Sequence, residues 1–377
     1  MKNYLSILIL AVCIFASCTE STDTVDELTD QTWELVILDS IQVDYLGEVS
    51  TGDFRDGIGV LFDYTSNTLL RIDDTGKILA QKTFPQDGPD SFQFLDTIEQ
   101  DSLGGTYIKN FMGAFYYLDE ELSVSRKVEM PFPSTSFDGA TDSKAFEFWD
   151  NKILMWYAGR DEKSPYAMHY LRDEYLLELF DESTGESKAM LRTPPNSKFA
   201  SDKLFDRPTV SFSVFDDFVY LTFSNEPLVH MYDLSKGGEF VQSLDFEPSK
   251  FILGPELKDE YDYADFSKLV EGRIWSIYAR EEGVLIKYWE GMDEEQFAIG
   301  DFTTPENFPK LQNQIAKNYK VYSEKEGWSN DIPIPNRIGQ VFEVESLSEP
   351  FFALRNDEFL GEEQDYITFY KVQLQKK

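Results

Sequence analysis

The stretch Val219-Tyr-Leu-Thr-Phe-Ser-Asn-Glu-Pro-Leu-Val-His-Met-Tyr-Asp233 decides the fold. Apolar and polar residues alternate on either side of Ser-Asn-Glu-Pro, which predicts two short strands joined by a turn. The second strand ends in Asp233, and a third follows from Phe240 to Pro248. The same order (strand, strand ending in Asp, strand closing in proline) recurs in both directions. Upstream it appears as Gly59–Tyr64, Thr68–Asp73 and Ile78–Pro85, then as Tyr107–Lys109, Ala114–Asp119 and Val124–Pro131. Ile153–Tyr157, Tyr175–Asp181 and Ser187–Pro194 make the third unit. Downstream, the fifth reads Arg273–Tyr278, Val284–Trp289 and Gln296–Pro305, and the sixth has only Phe351–Arg355 and Tyr366–Val372.

The closing prolines Pro85, Pro131, Pro194, Pro248 and Pro305 stand 46 to 63 residues apart. A period near 50 with about four strands per unit is the pattern of propeller blades. The orphan strand Trp33–Asp39 is placed to complete the sixth unit and to remove a sheet edge. The expectation is an all-β, six-bladed β-propeller over 33–377, closed by that N-terminal strand. A seventh blade would need strands in 306–340, where the pattern is missing. A pair of β-sandwiches is the structural alternative. Phe308 to Tyr322 is the best helix candidate, as an insertion.

Before the propeller, Lys2 and the apolar run Tyr4–Phe15 read as the start of a signal peptide. Twelve residues suit a secretory core and fall short of the ~20 needed to span a bilayer. Phe15-Ala-Ser-Cys18 reads as a lipobox, so 1–17 is expected to be a lipoprotein signal peptide and Cys18 the lipidated residue. Phe15 and Ser17 depart from the commonest form, and an ordinary signal peptide leaving Cys18 as a thiol is the alternative. Residues 18–32 are a polar acidic tether that cannot bury a core. Attachment to the membrane would be by the lipid anchor alone. Cys13 and Cys18 are the two cysteines, so no disulfide partner remains in the mature protein.

Asp and Glu total 69 against 34 Lys and Arg, a formal charge of −35. Such a surface repels nucleic acid and argues against broad docking on anionic lipid. It reads first as solubility, with many weak calcium contacts as the alternative.

Cys18 and the acidic residues after it, Phe84-Pro-Gln-Asp-Gly-Pro89, and Arg207-Pro-Thr-Val-Ser-Phe with Tyr220–Pro227 and Tyr232-Asp233 carry a likeness. Together they resemble the six-bladed, TolB-like β-propeller lipoproteins of Bacteroidota. The resemblance covers nearly the whole mature chain and implies fold and place. It points to an outer-membrane lipoprotein, facing the cell surface or the periplasm. Members are largely of unknown function, so it carries over no catalytic residue.

The ends of the strands that precede the Asp-ending strand, taken as the second of four in each blade, are all polar: Asn67, Asn110, Arg160, Asn225-Glu226, Arg280 and Arg355. Arginine suits bidentate capture of carboxylates or phosphates. Arg160, Arg207, Asn225, Glu226, Arg280 and Arg355 are therefore expected to line a top-face pocket for an anionic or sugar-like ligand. The alternative is that each arginine pairs with the acid beside it, Asp161, Glu281 or Asp357. Trp328, in a loop, is the candidate for stacking on a sugar, whereas Trp156 reads as core.

His169 and His230 are the two histidines. His230 alternates within a strand and reads as a packed residue, and no Gly-x-Ser-x-Gly elbow accompanies either. Asp73-Asp74-Thr-Gly76 reads as a hairpin turn, not a calcium loop. No catalytic residue, metal ligand or cofactor is assigned, with calcium in the central channel as the alternative. The expected function is non-catalytic: a binding or scaffolding module for an envelope protein or ligand. A calcium-assisted propeller hydrolase or lyase is the competing class.

Overall fold

The computed structural model describes residues 32–86, 88, 92, 95–101, 103–111, 113–134, 144–167, 169–258, 269–302, 304, 307 and 310–377. The signal peptide, Cys18 and the tether up to residue 31 lie outside the described residues. The chain forms six antiparallel sheets, and strands that are neighbours in sequence pair in all of them except where the N-terminal strand joins the sixth. Blade 1 contains Val49–Arg55, Ile58–Asp63, Thr68–Asp73 and Ile78–Thr83. Blade 2 contains Leu95–Gln100, Thr106–Asn110, Ala114–Leu118 and Val124–Glu129, and blade 3 Phe146–Trp149, Lys152–Trp156, Tyr175–Asp181 and Glu186–Arg192. Blade 4 contains Val210–Phe215, Phe218–Phe223, Leu228–Asp233 and Glu239–Asp245. Blade 5 has Arg273–Arg280, Gly283–Trp289, Lys317–Ser323 and the short Gly327–Trp328, with Ile332–Pro333 also on its third strand. Blade 6 has Ile338–Val341, Phe351–Arg355 and Ile367–Lys376, and its fourth strand is Trp33–Val43. That strand pairs with Ile367–Lys376 from Trp33 opposite Lys376 to Val43 opposite Ile367. The first strands of blades 1 and 2, 3 and 4, and 4 and 5 pack together, which puts first strands nearest the axis. The molecule is an all-β, six-bladed β-propeller.

The repeat in the sequence has a local cause. Each aspartate that ends a third strand closes the next turn with its own carboxylate. Asp73 accepts from the Thr75 and Lys77 amides, both at 3.0 Å. Asp119 does so from Glu121 at 3.0 Å and Ser123 at 2.8 Å, Asp181 from Ser183 at 3.0 Å, and Asp233 from Lys236 at 3.2 Å. The first hairpin of blade 1 turns at Asp56-Gly57, both at positive φ (49° and 76°). That is the pairing the strand twist favours in a two-residue turn.

Apolar residues collect between blades. Phe62, Ile108 and Tyr116 fill the space between blades 1 and 2, and Phe115, Phe146 and Phe180 that between 2 and 3. Leu177 meets Leu221 between 3 and 4, and Val229 and Ile286 join blades 4 and 5. Tyr319 and Phe351 join 5 and 6, and Leu70, Phe352 and Phe369 close 6 on 1. Each such ring, when fully buried, contributes about 1.5–3 kcal/mol, so the aromatic content of the sequence is spent at blade interfaces.

Blade 5 differs from its expectation. Arg273–Arg280 is the innermost strand, not the second. Gly283–Trp289 is then the second strand, a helix, Glu294–Gly300, stands where the proline-closed strand was expected from Gln296, and Pro305 lies outside the described residues. Asp293 caps it, accepting from the Gln296 amide at 2.9 Å. The true third strand, Lys317–Ser323, overlaps the stretch Phe308–Tyr322 read as a helix, within which Leu311–Gln314 is an α-helical turn. Tyr319 and Val321 are buried in the interface with blade 6, and this packing outweighs the helical spacing. Residues 306–340 therefore do hold strands, but these complete blades 5 and 6 and leave the count at six.

Candidate functional site

Connections between blades, and between second and third strands within a blade, emerge on one face, here called the top. On it, loops from blades 5, 6 and 1 surround a cleft of about 1030 Å³. Leu46–Val49 enters from the connection into blade 1, and Thr65 and Ser66 from its second loop. Blade 5 contributes Lys287, Trp289 and Lys317, and blade 6 the segment from Leu354 to Asp357 with Glu363 to Thr368. A turn of helix, Asp357–Leu360, shapes this loop, capped by Asn356, which accepts from the Phe359 amide at 3.1 Å.

Charge is uneven in the cleft. Its bases are engaged. Arg355 pairs with Asp357 at 2.7 Å and with Glu362. The Lys317 ammonium lies 5.1 Å from the centre of the Trp289 ring, and Lys287 is buried with an interaction of its own. Glu48, Glu358, Glu363 and Asp365 are exposed and make no side-chain hydrogen bond or ion pair among the described residues.

The structure scatters the other expected site residues. Arg160, after the second strand of blade 3, grips buried Glu178 with two bonds of 2.6 Å and Ser187 Oγ with one of 2.8 Å. Its partner is thus a cross-strand acid, not adjacent Asp161. Arg207 stacks on Tyr166 at 4.4 Å. Asn225 donates to the Asp206 carbonyl at 3.0 Å, and Asn67 to the Phe84 carbonyl at 2.9 Å. Glu226 accepts from Ser197 Oγ at 2.8 Å and the Lys198 amide at 2.7 Å. These side chains close their own loops. Trp328 is half-buried in a strand, 5.0 Å from Tyr322 and 6.0 Å from Phe246, and so is packed, not a loop tip. Of the seven, Arg355 alone lines the cleft. His230 is fully buried, with Nδ1 2.7 Å from Ser243 Oγ and Nε2 3.3 Å from Glu226 Oε2.

Arg280 is not on the top face. Its strand is innermost, so it ends at the opposite side, in a buried polar hub on the axis. The hub links all six blades. Blade 2 donates the Gln100 amide to Asp53 of blade 1 at 2.7 Å. Lys144, just before blade 3, reaches Glu99 of blade 2 at 2.8 Å and Glu343 beside blade 6. Glu343 also takes Arg280 of blade 5, whose guanidinium meets Ser213 of blade 4 at 3.3 Å. Ser213 returns to Glu147 of blade 3 at 3.2 Å. Sequence reading missed this circuit. Its one signal is a polar residue in or just beside an inner strand, such as Asp53 in Val49–Arg55.

Carboxylate oxygens of Asp53, Glu99 and Glu343 lie within 4.8 Å of one another, close enough for one cation. The Lys144 ammonium already fills that role for Glu99 and Glu343. Burial pushes Asp53 up to about 7 against the pull of Lys144, and pushes Glu99 well up too. Glu343 is also buried, yet Lys144 and Arg280 hold it down at about 2.

No family model matches the sequence, and no curated protein matches it. Solved structures are similar in fold. A member of the DUF4221 family from Bacteroides vulgatus aligns with a TM-score of 0.66 at 11% identity, over 92% of this chain and 99% of that one. An exported-protein candidate from Bacteroides fragilis aligns at 0.52 and 13% identity, over 91% and 95%. At such identity the likeness concerns fold alone. Among the described residues no helix is long and apolar enough to cross a membrane.

Proposed function

We propose that this protein is a non-catalytic binding module of the bacterial envelope, docking a protein partner on its top face. The observation that carries the reading is the cleft of about 1030 Å³ between blades 5, 6 and 1. Its size suits a ligand segment, and its lining is mostly polar and charged, with apolar patches at Leu46, Trp289, Ile334 and Leu354. Exposed apolar side chains also favour this face. Leu46, Tyr64, Tyr166, Leu253, Ile299 and Phe359 stand on top-face loops, against Leu103 on the opposite turns. In this reading Cys18 carries the lipid, residues 18–32 tether a TolB-like propeller to the outer membrane, and Trp33–Val43 closes the ring.

Site-specific photocrosslinking in native envelopes tests it. A crosslinker at Leu46 or Phe359 is expected to capture one partner that a crosslinker at Leu103 does not. Equal capture from both faces would overturn the reading.

A hydrolytic alternative rests on Ser243, which is half-exposed and bonded to His230, itself beside Glu226. Nucleophile, base and orienting acid would stand in order once the Ser243 hydroxyl, which donates to Asn196 Oδ1 at 3.0 Å, turned to His230. Labelling by a fluorophosphonate that disappears in Ser243→Ala would favour it. The calcium-assisted version would use the Asp53, Glu99 and Glu343 set, where calcium must displace Lys144.

A further inference from the structure

Resting on the docking reading above, we infer that the cleft takes a basic, apolar-anchored peptide segment of the partner, not an anionic or sugar-like ligand. Three observations converge. First, the bases that would recognise an anion are engaged: Arg355 by Asp357 and Glu362, Lys317 over Trp289, and Lys287 by burial and an interaction of its own. An anion would have to break those contacts.

Second, Glu48, Glu358, Glu363 and Asp365 are exposed at the cleft without partners among the described residues. Unlike the hub carboxylates, they do not converge on one point. The carboxylate set near enough to share one ion, among the described residues, is Asp53, Glu99 and Glu343. Spread-out negative charge matches spread-out positive charge on an extended chain better than a single metal ion. Third, the same rim offers apolar contacts. Leu46 on the cleft wall is 79% exposed, Trp289 lines the cleft, and Phe359, next to the lining residue Glu358, is 44% exposed. An occupant alternating cationic and apolar side chains satisfies both; a small polyamine would leave the apolar rim bare.

The test uses a fluorescein-labelled Lys-Leu repeat peptide and its counterpart with Glu for Lys, read by anisotropy on the whole mature protein. The Lys peptide is expected to bind and the Glu peptide not. Neutralising Glu358→Gln, Glu363→Gln and Asp365→Asn together should weaken binding about tenfold. Neutralising Asp74, Glu120 and Glu121 on turns of the opposite face should leave it unchanged. Affinity should fall as salt rises past the Debye regime. Equal weakening by the two triple variants would mean attraction to net charge alone and overturn the inference, as would preference for the Glu peptide. A natural partner crosslinked at Leu46 through a segment without Lys or Arg would overturn it too, while leaving the docking reading intact.

Discussion

The hub and the cleft are both crowded with charge, yet they are opposites. In the hub, Lys144 and Arg280 answer Glu99 and Glu343 inside the fold, and the groups are buried. In the cleft, the bases are answered and four acids are not. Charge that is matched within the chain holds blades together; charge left unmatched at a surface is available to something else. Composition alone, at −35, merges the two.

Lys144→Met should break the comparison most severely. It leaves Glu99 and Glu343 buried beside each other without their shared cation, a loss of about 3–5 kcal/mol. Chemical denaturation would read it, and a loss below ~1 kcal/mol would show the hub to be incidental.

The pH dependence should follow next, with two slopes of opposite sign. Asp53 sits at about 7 in the fold against an ordinary 3.8, so the folded state keeps a proton that the unfolded chain releases. Stability from this group is full below about pH 4, declines as pH rises towards 7, and is level above. Glu343, held at about 2 against 4.5, does the reverse, losing its contribution as pH falls below 4.5. Asp53→Asn should make the upper slope shallower by on the order of 4 kcal/mol and leave the lower one. Glu99, also pushed up, keeps the upper slope from vanishing. An unchanged upper slope in thermal melts across pH would refute the assignment to Asp53.

Trp328→Ala sharpens the comparison from outside both regions. It should cost about 1–2 kcal/mol through lost packing on Tyr322 and Phe246 and leave docking untouched. A loss of binding at constant stability would return Trp328 to the site. Smallest in stability is the triple neutralisation of Glu358, Glu363 and Asp365, expected within about 0.5 kcal/mol of the parent. A larger loss on melting would mean these acids have partners in the fold after all.

The blades were legible because their outer three strands alternate and their turns carry a bonded aspartate, two signals within a dozen residues. Blade 5 misled because Arg273–Arg280 alternates as strongly as a second strand, while an insertion of 27 residues, 290–316, separates its second and third strands. Arg355 was found at the cleft because a polar strand end is a local feature. That Arg160 would hold Glu178, and Arg280 Glu343, was not legible, because those partners are chosen by sheet register and by ring geometry. The hub was hidden for the same reason: its members sit in or beside the inner strands of six blades, and those of neighbouring blades lie tens of positions apart.

Propellers grow and shrink by copying or losing whole blades, which an apolar interface between like sheets tolerates. The axial circuit takes that freedom away here. The blades bring unlike sets of groups (acids from 1, 2 and 6, a lysine and an acid at 3, a serine from 4, an arginine from 5), and each answers a specific neighbour. A duplicated blade would carry an unanswered charge to the axis, at a cost of several kcal/mol. In this protein the number six is therefore locked from the centre, while the top-face loops carry no share in that lock.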